Sequence, residues 1–138
     1  IFLMGQKPLS ELPRYVKFFD VCLIPYLITD YTRNVYPTKT NEYLIMGKSV
    51  VSTALPEMIE FNRRHEGVIL IAKSYEEFDF DINRALSDDK DANASKSALR
   101  ISQARKNSWH SKVEEMSRLI WVAIEESTSG SSAKPLDP

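Results

Sequence analysis

The feature that most constrains the chain is a spacing: short apolar runs alternate with longer segments of helical period. Val21–Pro25 (VCLIP) is apolar on both faces, as a parallel strand covered by helices on each side would be. Val50–Thr53 (VVST) reads as a buried strand. Val68–Ala72 (VILIA), introduced by Gly67, is an unbroken succession of β-forming and aliphatic residues. Ile1–Met4 has the pattern of a strand end closed by Gly5.

Helical segments fill the intervals. Ser10 is a plausible N-cap for a helix to about Phe19, with Leu12, Val16 and Phe19 at helical spacing. A second helix is expected from about Pro37 to Met46, with Gly47 as its left-handed C-cap. A third runs from Leu55 to about Arg64. Ser74 followed by Glu77 is a capping box for a fourth, reaching Leu86. A charged turn follows at 87–93, then a long helix from about Ala94 to Ile124, with a bend expected near Asn107–Ser108.

The order β-α-β-α-β-α-β-α-α predicts an α/β fold. It is a partial Rossmann-like domain of about four parallel strands, with helices on both faces, right-handed crossovers and a long C-terminal helical segment. A doubly wound domain usually has more strands, so the pattern is that of its second half. The start on Ile1-Phe2-Leu3, without an initiating Met, agrees with a piece that begins inside a larger fold. Residues 1–124 are then an incomplete domain, and 125–138, of linker composition, a disordered tail.

Composition narrows the function classes. With 43% hydrophobic and 27% charged residues, the 138-residue chain is that of a soluble globular protein with enough length for a core. A net charge of −1 gives no field towards nucleic acid or an anionic membrane. The single Cys22 excludes an internal disulfide, and its apolar surroundings suggest a buried thiol in a reducing, cytoplasmic setting. No apolar run approaches the length of a transmembrane segment, and no signal peptide is evident.

No GxGxxG fingerprint occurs, and Gly47-Lys48-Ser49 is only the tail of a P-loop without its glycines. No GxSxG elbow supports a hydrolase. His65 and His110 stand far apart without cysteines or paired acids nearby, which argues against zinc. The acids of 79–91 read as a solvated face. What remains is the loop after VCLIP and the helix after it, which carry Arg33, Asn34, Lys39, Asn41, Glu42 and Tyr43. Open parallel sheets bind ligands where such loops leave the carboxyl ends of strands. Lys39 and Glu42, three apart, share one side of the helix: the ammonium suits a phosphate, the carboxylate the hydroxyls of a sugar. From composition alone an ordinary surface ion pair is the favoured account of them; placed at the carboxyl edge of the sheet they become ligand candidates, and the physics of the residues stops at an anionic, sugar-nucleotide-like ligand.

Pro37-x-Lys39-x-x-Glu42-Tyr43-Leu44-x-x-Gly47-Lys48-x-Val50-Val51 resembles the nucleotide-sugar-binding segment of GT-B glycosyltransferases of the group 1, or family 4, type. Other landmarks fall in order: Phe2-Leu3-x-Gly5, Glu11-Leu12-Pro13, Asp20-Val21-x-Leu23-x-Pro25 and Asn107-Ser108-Trp109. The resemblance covers about residues 1–122. It implies the C-terminal part of a retaining enzyme built from two Rossmann-like domains. In such enzymes this part holds a nucleoside diphosphate sugar, and an N-terminal domain, missing here, mostly holds the acceptor.

By the same resemblance Glu42 matches the second glutamate of the family's E-x7-E motif, which binds ribose hydroxyls. Asn34 stands where the first glutamate would contact the donor sugar, a departure from the pattern. Arg33 and Lys39 become candidates for the diphosphate, and Gly5 for backbone passing the base. No catalytic residue, metal or resident cofactor is implied in this half, and the isolated chain is expected to be inactive. Unpaired strand edges would favour self-association. Two alternatives stay open: a non-catalytic interaction or regulatory domain of the same fold, and another α/β enzyme such as a nucleotide-sugar epimerase.

Overall fold

The computed structural model describes residues 2–87 and 90–130. Its contacts divide the chain into two units that part between Arg105 and Lys106. The first holds a three-stranded parallel sheet in the order β1 (Val21–Ile24), β2 (Ser49–Thr53), β3 (Leu70–Ala72). Cys22 pairs with Val50 and Ile24 with Ser52; on the other side Val51 pairs with Leu70 and Thr53 with Ala72. Helices α1 (Leu12–Val16), α2 (Lys39–Ile45), α3 (Pro56–Arg64), α4 (Tyr75–Leu86) and α5 (Lys90–Lys106) complete the alternation. The second unit contains α6 (Trp109–Gly130).

Both faces of β2 are covered. Val50 and Val51 point to opposite sides of the strand, and both are fully buried. On one face Cys22, Ile24 and Val50 cluster with Val16 of α1, Leu44 of α2, and Met58 and Phe61 of α3. Against the other lies α4, which touches all three strands. Coverage fails at β1, where Leu23 is 41% exposed beside the open edge of the sheet.

Several expectations change. The strand expected at Ile1–Met4 does not form: Ile1 lies outside the described residues, and residues 2–4 have no strand partner among them. Phe2 and Leu3 are more than nine-tenths exposed. An apolar run becomes a strand only when a neighbour takes its backbone groups, so the sheet has three strands rather than about four.

The helix expected from Ser10 to Phe19 is a 3-10 turn (Leu9–Glu11) followed by the five-residue α1, with Pro13 in its first turn. It ends in i→i+3 bonds from the Phe18 and Phe19 amides to the Tyr15 and Val16 carbonyls. Finally, the single long helix is two. Ser108 interrupts it and caps α6, its Oγ accepting from the Ser111 amide at 3.2 Å. Residues 125–130, read from composition as tail, continue α6; the rest of that segment lies outside the described residues.

Candidate functional site

The carboxyl ends of all three strands open onto one edge, and the loop leaving β1 is braced there. Thr53, at the end of β2, donates through Oγ1 to the Tyr26 carbonyl at 2.9 Å. Further along, Thr29 and Thr32 cap each other: each amide donates to the other's Oγ1, at 2.7 and 3.1 Å. The Thr32 hydroxyl also donates to the Leu27 carbonyl. These bonds satisfy backbone groups that a loop would otherwise leave to water. They shape the short 3-10 turn (Thr32–Asn34) that presents Arg33 and Asn34. Helix α3 packs against this turn, and the Tyr36 ring lies 5.6 Å from that of Phe61.

Arg33 and Asn34 are both exposed. The Arg33 guanidinium lies 3.4 Å from the Asp30 carboxylate in a pair open to solvent, an interaction that water screens and that holds neither group firmly.

Helix α2 begins at Lys39 with Thr38 as N-cap, two residues after the expected start at Pro37. Pro37 instead shapes the turn before it: the Thr40 and Asn41 amides donate to the Pro37 and Thr38 carbonyls at 3.0 and 3.1 Å. Those two amides are therefore already engaged. Any anion bound here would rely on side-chain charge more than on a free helix terminus. Lys39 and Glu42 occupy the first and fourth helical positions, both exposed. No ion pair joins them among the described residues, so the surface pair that composition suggested does not form.

The other end of α2 is locked. Gly47, at φ +70°, closes it with bonds from the Gly47 amide to the Leu44 carbonyl and from the Lys48 amide to the Tyr43 carbonyl. A Cβ on Gly47 would collide with the Ser97 hydroxyl of α5, and Arg100 donates to the Gly47 carbonyl at 3.2 Å. Lys48 serves the fold as well, its ammonium donating to the Lys17 and Phe19 carbonyls at the end of α1. The P-loop-like Gly47-Lys48-Ser49 is thus structural.

Gly5 is different from the other four candidates. It is exposed at φ +67°, and nothing lies within 4 Å of where its Cβ would stand. Arg33 and Asn34 share one turn, and Lys39 and Glu42 share the next helix; the structure packs Gly5 against none of them.

Sequence reasoning missed a cavity of about 460 Å³ at the same sheet edge. Tyr26, Leu27 and Ile28 after β1, Thr53 ending β2, Lys73 after β3 and Tyr75 at the start of α4 line it. The signal was available, because each of these residues ends or follows a strand. At its floor Ser74 caps α4, accepting from the Glu77 amide at 3.2 Å, while the Glu77 carboxylate accepts from the Lys73 amide at 2.7 Å. Among the described residues no group of three or more His, Cys, Asp or Glu could hold a metal ion. None of the described helices is long and apolar enough to cross a membrane.

Comparison with known proteins gives one short likeness. Over 52 residues the chain is 38% identical to the "Putative teichuronic acid biosynthesis glycosyltransferase TuaH" of Bacillus subtilis (strain 168). The match covers 38% of this chain and 13% of that protein, so the chain spans a small part of the relative's length. No family model matches the chain. No solved structure matches it.

Proposed function

We propose that this chain is the donor-binding portion of a cytoplasmic GT-B glycosyltransferase of the family 4 type. It would take a nucleoside diphosphate sugar at the carboxyl edge of its sheet, in a protein whose acceptor domain lies elsewhere. The observation that carries the reading is the folded form of Asn34–Thr53. It makes a loop, helix and strand at the edge where open parallel sheets bind ligands, with Lys39 and Glu42 exposed and not paired to each other. The local likeness to a glycosyltransferase supports it.

In this reading Glu42 accepts hydrogen bonds from the ribose hydroxyls, and Lys39 and Arg33 neutralise the diphosphate. The same cations would stabilise the charge that develops on the leaving group as the sugar departs. Asn34 faces the donor sugar as a neutral amide. Gly5 belongs to the site only if the N-terminal segment is drawn towards the base. In this reading no catalytic base is needed in this half. The phosphate-binding residues of the domain's first β-α units and the acceptor domain lie elsewhere, so the chain by itself is expected to perform no transfer.

Lys39 provides the test of the diphosphate role. Lys39→Ala should weaken nucleoside diphosphate binding about tenfold, or ~1.4 kcal/mol, and flatten its salt dependence. It should leave binding of the corresponding nucleoside unchanged. Equal losses for nucleoside and diphosphate would contradict the assignment. Detectable sugar transfer by the 138-residue chain alone would contradict the placement of the catalytic machinery outside it. An intact fold that binds no nucleoside diphosphate would favour the non-catalytic interaction domain.

A further inference from the structure

The residues assigned to the donor lie on two separate elements, which must be held in register for one ligand to meet both. Arg33 and Asn34 stand on the 3-10 turn Thr32–Asn34, Lys39 and Glu42 on α2. The backbone bonds of each element run within it. The Arg33 and Val35 amides donate back to the Thr29 and Thr32 carbonyls, while those of Thr40 and Asn41 donate to Pro37 and Thr38. Val35 is extended, at φ −99° and ψ 124°. Pro37 fixes its own φ and keeps Tyr36 out of the helical region. The other torsions of the link would still let the turn swing against the helix.

Tyr36, midway along the link, bridges the two. Its ring lies 5.6 Å from that of Phe61, tilted by 45°, and packs at the margin of the core cluster. Its hydroxyl donates to Oδ1 of Asn41 at 3.0 Å. Asn41 stands directly before Glu42 in the first turn of α2. Both partners are half-buried, so water competes for this bond less than for the exposed Arg33–Asp30 pair. The ring thus fixes the link to α3 and the hydroxyl fixes it to α2, while α3 also packs against the turn itself.

Groups that grip one ligand lose much of their joint effect when one set is displaced by about an ångström. On the donor-binding reading above, we propose that the Tyr36–Asn41 bond is a positioning strut. It sets Arg33 and Asn34 against Lys39 and Glu42, so that a single nucleoside diphosphate sugar is held from both elements. Tyr36 and Asn41 act through these neighbours and not by touching the ligand.

Tyr36→Phe removes the hydroxyl and keeps the ring. Amide hydrogen exchange without ligand reads the strut itself. Tyr36→Phe and Asn41→Ala should each speed exchange at the Arg33 and Val35 amides several-fold, and the double variant should add little to either. The Lys48 amide, bonded to the Tyr43 carbonyl at the far end of α2, should be unchanged. Calorimetry then reads the positioning, with whichever of the uridine, guanosine and adenosine diphosphates binds the parent chain. Tyr36→Phe should weaken that diphosphate about three- to tenfold, the worth of one ordinary hydrogen bond. It should leave the matching nucleoside, which meets only α2, unchanged. Arg33→Ala should weaken the diphosphate in the parent chain and cost nothing further beside Tyr36→Phe. Equal losses for nucleoside and diphosphate, or losses from Arg33→Ala and Tyr36→Phe that add, would overturn the positioning role. Unchanged exchange in the turn would overturn the strut. Faster exchange in the variants of a chain that binds none of these diphosphates would contradict the donor reading and leave the strut standing.

Discussion

Cys22 lies at the centre of β1 under the core cluster, and burial pushes its thiol up to about 11, with the charge of Lys48 lowering it only in part. Below that value it is a neutral thiol, and nucleophilic attack requires the thiolate. Native protein at pH 8 should therefore react with a thiol reagent only as fast as it unfolds, while protein in denaturant reacts at once; rapid native labelling would contradict this. Gly47 is constrained twice, by its left-handed φ and by the Ser97 hydroxyl. Gly47→Ala should cost roughly 2 kcal/mol in urea unfolding, and Ser97→Gly in the same chain should recover only the steric part. Both positions were legible in the sequence, because a thiol in an apolar run and a glycine after a helix each carry local meaning. Lys48 and Thr53 were not legible. Their partners lie about thirty residues away, on elements whose approach only the fold decides.

The same division governs the elements. The order of β1, α2, β2, α3, β3 and α4 was readable from period and punctuation, and the capping box at Ser74 formed as its residues predict. The boundaries moved where a side chain intervened. The run expected as a strand from Val68 enters the sheet only at Leu70, because Asn62 of α3 claims Ile69 first. The Asn62 amide donates to the Ile69 carbonyl at 3.0 Å and accepts from its N–H at 2.8 Å, imitating a strand partner. Asn62→Ala should cost about 2 kcal/mol, and it should raise hydrogen exchange at Ile69 above that of β2. Unchanged protection there would show that the clamp is dispensable. The strand expected at Ile1–Met4 failed for a related reason. Apolar sequence describes willingness to be buried, while pairing requires a neighbour, and no strand among the described residues takes residues 2–4.

For the molecule as a whole, the candidate site was half legible. The stretch Asn34–Thr53 identified its own loop, helix and strand, and the sheet edge was predictable from the alternation of elements. The 460 Å³ cavity was legible only as a place, the strand ends; its lining was not, because residues from three strand ends and the start of α4 come together only in the fold. Nor was the absence of a Lys39–Glu42 pair, since three-residue spacing permits such a pair without requiring it. That absence bears on function: an exposed carboxylate and ammonium, held on a helix pinned at Gly47, are available to a ligand.

The central claim is that Glu42 reads the ribose of a nucleoside diphosphate, and titration calorimetry tests it most directly. Uridine, guanosine and adenosine diphosphates would be titrated into the parent chain and into Glu42→Ala, with folding verified for both. At least one should bind weakly, with Kd on the order of 1 mM (about −4 kcal/mol), and Glu42→Ala should reduce that binding about tenfold or more. The 2′,3′-dideoxy analogue should bind both proteins equally poorly. Binding that survives Glu42→Ala undiminished would contradict it.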